Sequence, residues 1–532
     1  MSLRRLALAA YTLSAAASVH GAALQPAGLA VPSNYSSQLD AVKQIFNVSY
    51  SAYQQYAWGH DELLPVSKSY TDYLFGWGAT IADGLDTMWI MGFTDLFEQG
   101  VNQLATVDFN NATGGSYNVF DGTIRYIGGL LSAYELSGQK YPVLLQKAQN
   151  IGDNLAYAWV DGNAMPYNGL NVDHSVQQGT TNVAQVGTLT LEFERLSYYT
   201  GNDTYRQLAE KAALAVAASP DPIPGIPAQG LYPTGEFVDS YVTWGGGTDS
   251  YLEYLIKYPR LTNTNDTTFA DTWATAVDSS IKKLLKTSTV GDFLYLADYD
   301  GSQIRHVSGH LNCFYGGNWI LGGKMLNNDT IVNYGLQLTD ACINTYRGTA
   351  TGIGPEGFAW ISDDGNYTGS SISDDQLSFY AAHGYYITSA DYIQRPEVLE
   401  SNFYAWRATG DTKYLDNAVS ALQAFEKYLP SAAGYAGIDD VDSASPAQYD
   451  DQEAFWFAEV LKYLYLTFDD PGNVSLDDYV FNTECHPFKA PTALAQYGSG
   501  KLKAPSQQPM KTVAGPAPMV SGKPSVLSLL GL

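Results

Sequence analysis

RATGDTKYLDNAVSAL, residues 407–422, closes one helix at Thr409-Gly410 and opens the next at Tyr414. The same punctuation occurs as ELSGQKYPVLLQKA (135–148) and as YYTGNDTYRQLAEKA (198–212). Glycine just past a helix end supplies the left-handed cap, and a new apolar periodicity within a few residues marks a second helix. Three weak copies of helix, Gly turn, helix make a repeated αα-hairpin. Such a unit buries its faces only by stacking on its neighbours, which points to a toroid or solenoid.

Working outward, apolar residues at i, i+3, i+4 and i+7 mark Thr123–Leu136, Leu144–Tyr157, Gln185–Tyr198, Tyr205–Ala217, Phe269–Leu285, Pro396–Ala408, Tyr414–Tyr428 and Gln452–Leu466. Strands are few, and ASPDPIPGIPAQG (218–230) and IGPEGF (353–358) read as loops or short hairpins between pairs. The first helix of each pair has a polar residue at its start: Asp121 before GTIRYIGGLL, Gln185 in AQVGTLTLEF, Glu397 in RPEVLES. In a closed ring these starts would meet at one mouth. Pro396 suits the first helical position, which sets Glu397 and Glu400 three residues apart at the positive end of the helix dipole, where both are expected to be ionised. Such acids suit general-base chemistry on a neutral polyol, although a charged first turn also simply stabilises its own helix.

The chain has 532 residues. Arg4, Arg5, the apolar run Leu6–Val19 and the small residues Gly21–Ala23 have the form of a secretory signal spanning residues 1–21, with a mature start near Ala22. No later stretch reaches the roughly 18 apolar residues of a membrane span, so a secreted or lumenal protein is expected. Asn-x-Ser/Thr sequons at Asn34, Asn47, Asn111, Asn202, Asn265, Asn328, Asn366 and Asn473 agree with export. Three cysteines, Cys313, Cys342 and Cys485, allow one bridge or a set of buried thiols. A net charge of −26, from 28 Lys+Arg against 54 Asp+Glu, argues against nucleic acid or an anionic membrane as partner. The 40 Tyr, 20 Phe and 10 Trp, set among scattered carboxylates, lean towards a carbohydrate cleft, since aromatic faces stack on sugars while acids take their hydroxyls. From Lys489 to Leu532 periodicity stops, and the segment reads as a disordered tail; its final SVLSLLGL is too short for a lipid-anchor signal.

A set of acid-bearing motifs then falls into one order: YAWGHDELLPVS (56–67), GWGATIADGLDTMWIMG (76–92), VFDGTIRYIGGLLSAYELS (119–137), GGGTDSYLEYLIK (245–257), HLNCFYGGNWILGG (310–323), TGIGPEGFAW (351–360), RPEVLESNFYAWRATGD (395–411), DQEAFWFAEVLKYLYLTF (451–468) and FNTECHP (481–487). Together they resemble the class I α-1,2-mannosidases of glycoside hydrolase family 47, in the secreted fungal form, over nearly all of residues 40–488. The resemblance implies an all-α (α/α)7 barrel of paired helices with a few short hairpins, forming one catalytic domain over residues 22–488. It implies a monomeric, Ca2+-dependent exo-mannosidase that trims terminal α-1,2-linked mannose from high-mannose N-glycans with inversion, a course needing two carboxyls with a water between. Carried over by motif, Glu397 is the general base, Asp121 stands on the proton-donating side, and Asp249 is a third catalytic carboxylate. Arg125, Arg395, Pro396, Glu400, Phe455, Glu459 and Glu484 line the mannose subsite, and Thr483 holds the metal. Cys313 and Cys342 match the family's disulfide.

Departures from the family pattern qualify this. Asp121 replaces Glu and is one methylene shorter, and misplacing a catalytic group by about 1 Å can cost on the order of 100-fold in rate. Arg125, four residues on, also opposes an acid role for Asp121. Gln185 stands where relatives have Glu, and Gly247, where some carry a large side chain, implies a roomier cleft. Asp249 alone would also serve as a helix cap, Asp83 and Asp86 read as buried supports, His60 and His310 as sugar contacts or structural hydrogen bonds, and Cys485 as a small buried filler. The alternatives are a mannose-binding barrel with weak or no turnover because of Asp121, and a mannosidase for another linkage.

Overall fold

The computed structural model describes residues 23–160 and 162–513. The signal-like leader and residues 514–532 lie outside the described part. Helices alternate between an inner and an outer ring. The inner ring is Ala79–Met91, the continuous Val119–Asp121, Gly122–Ile127 and Gly128–Leu136, then Thr190–Thr200, Asp249–Thr262, Phe314–Met325, Glu397–Thr409, and Trp456–Val460 running into Leu461–Phe468. Each neighbour in this series packs on the next, and the last packs on the first, closing an (α/α)7 barrel. The outer ring is Ser36–Tyr56, Thr94–Thr106, Pro142–Leu155, Thr204–Ala217, Thr268–Lys283, Asp329–Arg347 and Lys413–Tyr428.

The two rings differ in sequence because they differ in surroundings. An outer helix such as Lys413–Tyr428 buries Tyr414, Leu415, Ala418, Ala421, Leu422 and Phe425 on one face and leaves the other wet. An inner helix such as Phe314–Met325 is buried on nearly every side and is apolar all round. The Gly turns that announced the pairs are present: Gly201 and Gly410 cap their helices with φ of 71° each, a conformation that glycine adopts without steric cost.

A hairpin plugs the barrel from the C-terminal ends of the inner helices. Tyr479–Phe481 pairs antiparallel with Pro487–Lys489, and its tip, Asn482 to His486, rises between the helices. Asn482, Cys485 and His486 are fully buried there. Asn482 Nδ2 donates to the Ile124 carbonyl (2.9 Å) and to Glu192 (2.8 Å), while the Lys462 ammonium donates to the Cys485 carbonyl (2.7 Å). Cys485 is the free, buried cysteine, and Cys313 is bonded to Cys342.

The tail expected from Lys489 is packed as far as Val513. Arg260 donates to the Pro491 carbonyl (2.7 Å), Tyr497 is buried and donates to Asn263 (2.9 Å), and Lys503 pairs with Asp221 (3.0 Å). The strap ends alongside Phe237, whose N–H donates to the Lys511 carbonyl (2.9 Å). Missing periodicity here means an extended strap tied down by side chains of outer and inner helices, and not an unpacked chain. Among the described residues no helix is long and apolar enough to cross a membrane. The described sequon asparagines are exposed except Asn47, which is half-buried.

Candidate active site

The inner-helix starts do converge. A narrow cavity of about 120 Å³ is walled by Phe120, Ile124 and Arg125, by Asn182, Ala184 and Gln185, by Gly246, Gly247, Asp249 and Ser250, by Leu311, by Arg395, Pro396 and Glu397, and by Phe455 and Glu459. Thr483 and Glu484 of the plug complete it. Asp249, Glu397, Arg125, Arg395, Pro396, Phe455, Glu459, Glu484 and Thr483 are therefore brought together by the fold. A wider, polar cavity of about 620 Å³ adjoins it, sharing Asn182 and Gln185 and adding Asp72, Tyr73, Asn118, Asn168, Gln177 and Gln178.

Two expected members stand apart. Asp121 is not a wall residue: Asn118 caps its N–H (2.7 Å) and donates to its carboxylate (2.8 Å), and Arg125 Nε donates to the other oxygen (3.1 Å). Glu400 lies beneath the cavity beside the buried Glu253–Lys257 ion pair. The helix itself begins at Glu397, with Pro396 in the capping position, one residue later than its sequence suggested. Gln394, buried and with φ of 63°, makes the sharp turn into it, and its amide oxygen accepts from the Glu453 N–H (2.9 Å). Arg395 then grips Glu356 through Nε at 2.7 Å from each oxygen.

Glu397 is held by a residue that the sequence left undecided. His310 Nδ1 lies 2.7 Å from Glu397 Oε2, and His310 Nε2 lies 2.6 Å from the Tyr346 hydroxyl. Arg395 Nη1 stands 4.0 Å from the other oxygen. Arg125, stacked over the Phe455 ring at 5.7 Å, spans Asp121, Asp83 (3.2 Å) and Glu484 (3.0 Å). Asp86 sits deeper, with Lys462 and His486 each at 2.7 Å, so both Asp83 and Asp86 are buried supports. His60 pairs with Asp72 (2.9 Å) outside the narrow cavity.

The profile of Glycosyl hydrolase family 47 matches residues 45–490. The chain belongs to this family. It is 39% identical over 515 residues to the probable mannosyl-oligosaccharide alpha-1,2-mannosidase 1B of Aspergillus niger, covering 92% of this chain and 98% of that one. It is 38% identical over 515 residues to the mannosyl-oligosaccharide alpha-1,2-mannosidase 1B of Aspergillus phoenicis, with the same coverage. The solved alpha-1,2-mannosidase from Trichoderma reesei superposes with a TM-score of 0.83 at 37% identity, over 87% of this chain and all of that one.

Within this family 47 site the carboxyls are driven apart in protonation. Burial would raise Glu397, but the His310 hydrogen bond and the His310 and Arg395 charges outweigh it and hold Glu397 below the usual carboxylate range. Asp249 is pushed up to about 7 by burial, with Glu253 and Glu397 adding to the push against the Ser250 N–H. Glu400, expected to be ionised like Glu397, is raised well above its ordinary value by burial and by Glu253, which Lys257 does not offset. The helix dipole is too weak to keep both acids charged once they leave water.

Gly247 does not simply leave room. Its φ is 91°, and an added Cβ would meet the Gln229 side chain at 2.5 Å, so Gln229, donating to the Gly246 carbonyl, already fills that direction. Elsewhere, Glu62, Asp451 and Glu453 place oxygens within 4.8 Å of one another, an acidic arrangement that could hold a cation.

Proposed function

We propose that this chain is an inverting exo-α-1,2-mannosidase that removes terminal mannose from high-mannose N-glycans. The observation that carries the reading is that one narrow cavity brings together Glu397, held by His310 and shifted below the usual carboxylate range, and Asp249, pushed by burial up to about 7. Glu397 takes a proton from a water, whose oxygen attacks the anomeric carbon from the face opposite the leaving oxygen. The glycosidic C–O bond breaks, and Asp249 gives its proton to the departing oxygen. Asp121, the other candidate donor, is tied to Arg125 and Asn118 and borders the wider cavity that Asn118 lines, its side chain 20% exposed. The terminal sugar stacks on Phe455 while Arg125, Arg395, Glu459 and Glu484 take its hydroxyls, and the wider amide-lined cavity receives the sugars behind it.

Calcium fits beside Thr483. Glu459 is raised well above its usual range and Glu484 to about 8, in each case by burial and by repulsion from neighbouring acids that Arg125 only partly relieves. The surroundings are hard oxygen donors short of positive charge, which Ca2+ supplies when bound through Thr483 and water held by Glu459 and Glu484. The leader and sequons support export, and the reading takes the protein as a monomer.

The test is incubation with a panel of α-linked mannobioses and a nine-mannose N-glycan, with and without exhaustive chelation. Selective cleavage of the α-1,2 linkage, weakened by chelation, is expected. Sugar binding without release would overturn the enzymatic reading, and preference for another linkage would overturn the substrate assignment.

A further inference from the structure

Tyr346 lies on the outer Asp329–Arg347 helix, is not a wall residue of the narrow cavity, and yet meets the His310 ring that touches Glu397. We propose that Tyr346 is a positioning residue for the base, acting only through His310. The inference rests on Glu397 being the base.

The geometry leaves His310 little choice. The Glu397 carboxylate only accepts hydrogen bonds, so the ring nitrogen facing it at 2.7 Å carries a proton. The opposite nitrogen then meets the Tyr346 hydroxyl at 2.6 Å, which donates to it when the ring is neutral and accepts from it when the ring is charged. In both states the Nδ1 proton stays aimed at Glu397. His310 and Tyr346 are both buried, at 1% and 5% exposed. Burial also raises the Tyr346 phenol well above its ordinary value, keeping its proton available.

The covalent framework fits the same purpose. Cys342 precedes Tyr346 by one helical turn, Cys313 follows His310 by three residues, and the two are bonded. The disulfide thus fixes the outer helix against the turn that bears His310, setting the reach of Tyr346. Other groups around the pair do not reach the His310 nitrogen: Tyr392 donates to the Arg395 carbonyl (3.1 Å) and hydrogen-bonds the Tyr346 hydroxyl, so it meets Tyr346 and not His310 Nε2, and Arg395 is committed to Glu356.

Tyr346→Phe removes one oxygen and keeps the ring. Steady-state kinetics should show kcat reduced by about tenfold, as for loss of an orienting partner behind an active-site ligand, with KM within about twofold. On a His310→Ala background the same change should cost nothing further. 15N NMR of histidine-labelled protein should show the His310 Nε2 resonance moving to that of a nitrogen without a partner. Unchanged kcat, effects that multiply in the double variant, or an unmoved Nε2 resonance would each overturn the proposal. Wild-type protein that releases no mannose would instead overturn the base assignment, while the resonance still decides the Tyr346–His310 contact.

Discussion

Glu397 and Glu400 occupy the same first turn of one helix, three residues apart, and differ in what surrounds their carboxyls. Glu397 has His310 and Arg395, which hold it below the usual carboxylate range; Glu400 has burial and Glu253, which raise it well above that range. Asp249, partly protonated near neutrality, complements the first of these. The sign of the pH dependence follows: Glu397 is in its working form down to acid pH, while Asp249 loses its proton as pH rises through about 7. The pH profile of kcat/KM should therefore run flat through the mildly acid range and fall above about 7; a rise above that point would contradict the assignment. A comparison of single variants separates the two candidate donors. Asp249→Asn should lower kcat by on the order of a thousandfold, within the range for losing a general acid, whereas Asp121→Asn should cost about tenfold. The reverse ranking, measured on one glycan at fixed pH, would return the donor role to Asp121.

At the scale of elements, the Gly turns and four outer helices, those at 142–155, 204–217, 268–283 and 413–428, were legible, because a helix with one wet face writes its periodicity openly; the outer helices Ser36–Tyr56, Thr94–Thr106 and Asp329–Arg347 were not read. Four inner helices were read as well, but Ala79–Met91 and Phe314–Met325 were not: they are buried nearly all round, and no alternation of wet and dry faces survives when every face is covered. The convergence of helix starts could be reasoned from the ring, and motif order named most of the wall. What the sequence could not show was the third dimension of each acid. Nothing in RPEVLES says that Glu400 is sunk beside Glu253; the four-residue spacing did place Arg125 against Asp121, but not the Asn118 clasp on the same carboxylate. His310 was read as a sugar contact or a structural hydrogen bond, and the hydrogen bonds it makes depend on Tyr346 and Glu397 arriving from two other helices. The strap beyond Lys489 was misread because irregular backbone held by Arg260, Asn263 and Asp221 has no pattern of its own. The Cys313–Cys342 bridge, joining an inner-helix start to an outer helix across 29 residues, is expected to stabilise the fold by about 3–4 kcal/mol through loop-closure entropy. Replacing both cysteines by serine should lower Tm and the denaturation midpoint accordingly; an unchanged midpoint would contradict it.

For the whole molecule, the barrel concentrates acids in its interior, and burial raises several of them: Asp61 and Asp298 to about 6, Glu192 and Asp249 to about 7. A carboxyl whose folded pKa exceeds its unfolded value binds its proton more tightly in the folded state. Its stabilisation is complete below the unfolded pKa and is lost as pH rises through the folded one. Glu397 and Asp86, shifted down, act oppositely but titrate at lower pH. Thermal stability is therefore expected to be higher near pH 5 than near pH 8, and a scan of Tm against pH that rises instead would contradict the balance of buried acids described above. The same crowding of carboxyls around one narrow cavity, at the mouth where the inner helices begin, is what makes the barrel a sugar-cleaving device. Proton NMR of α-1,2-mannobiose during hydrolysis, run in parallel with wild-type protein and Glu397→Gln, addresses that claim most directly. The wild type is expected to release mannose that appears first as the β anomer, and Glu397→Gln to bind the sugar without releasing it. Initial release of the α anomer, or full activity in Glu397→Gln, would contradict the account.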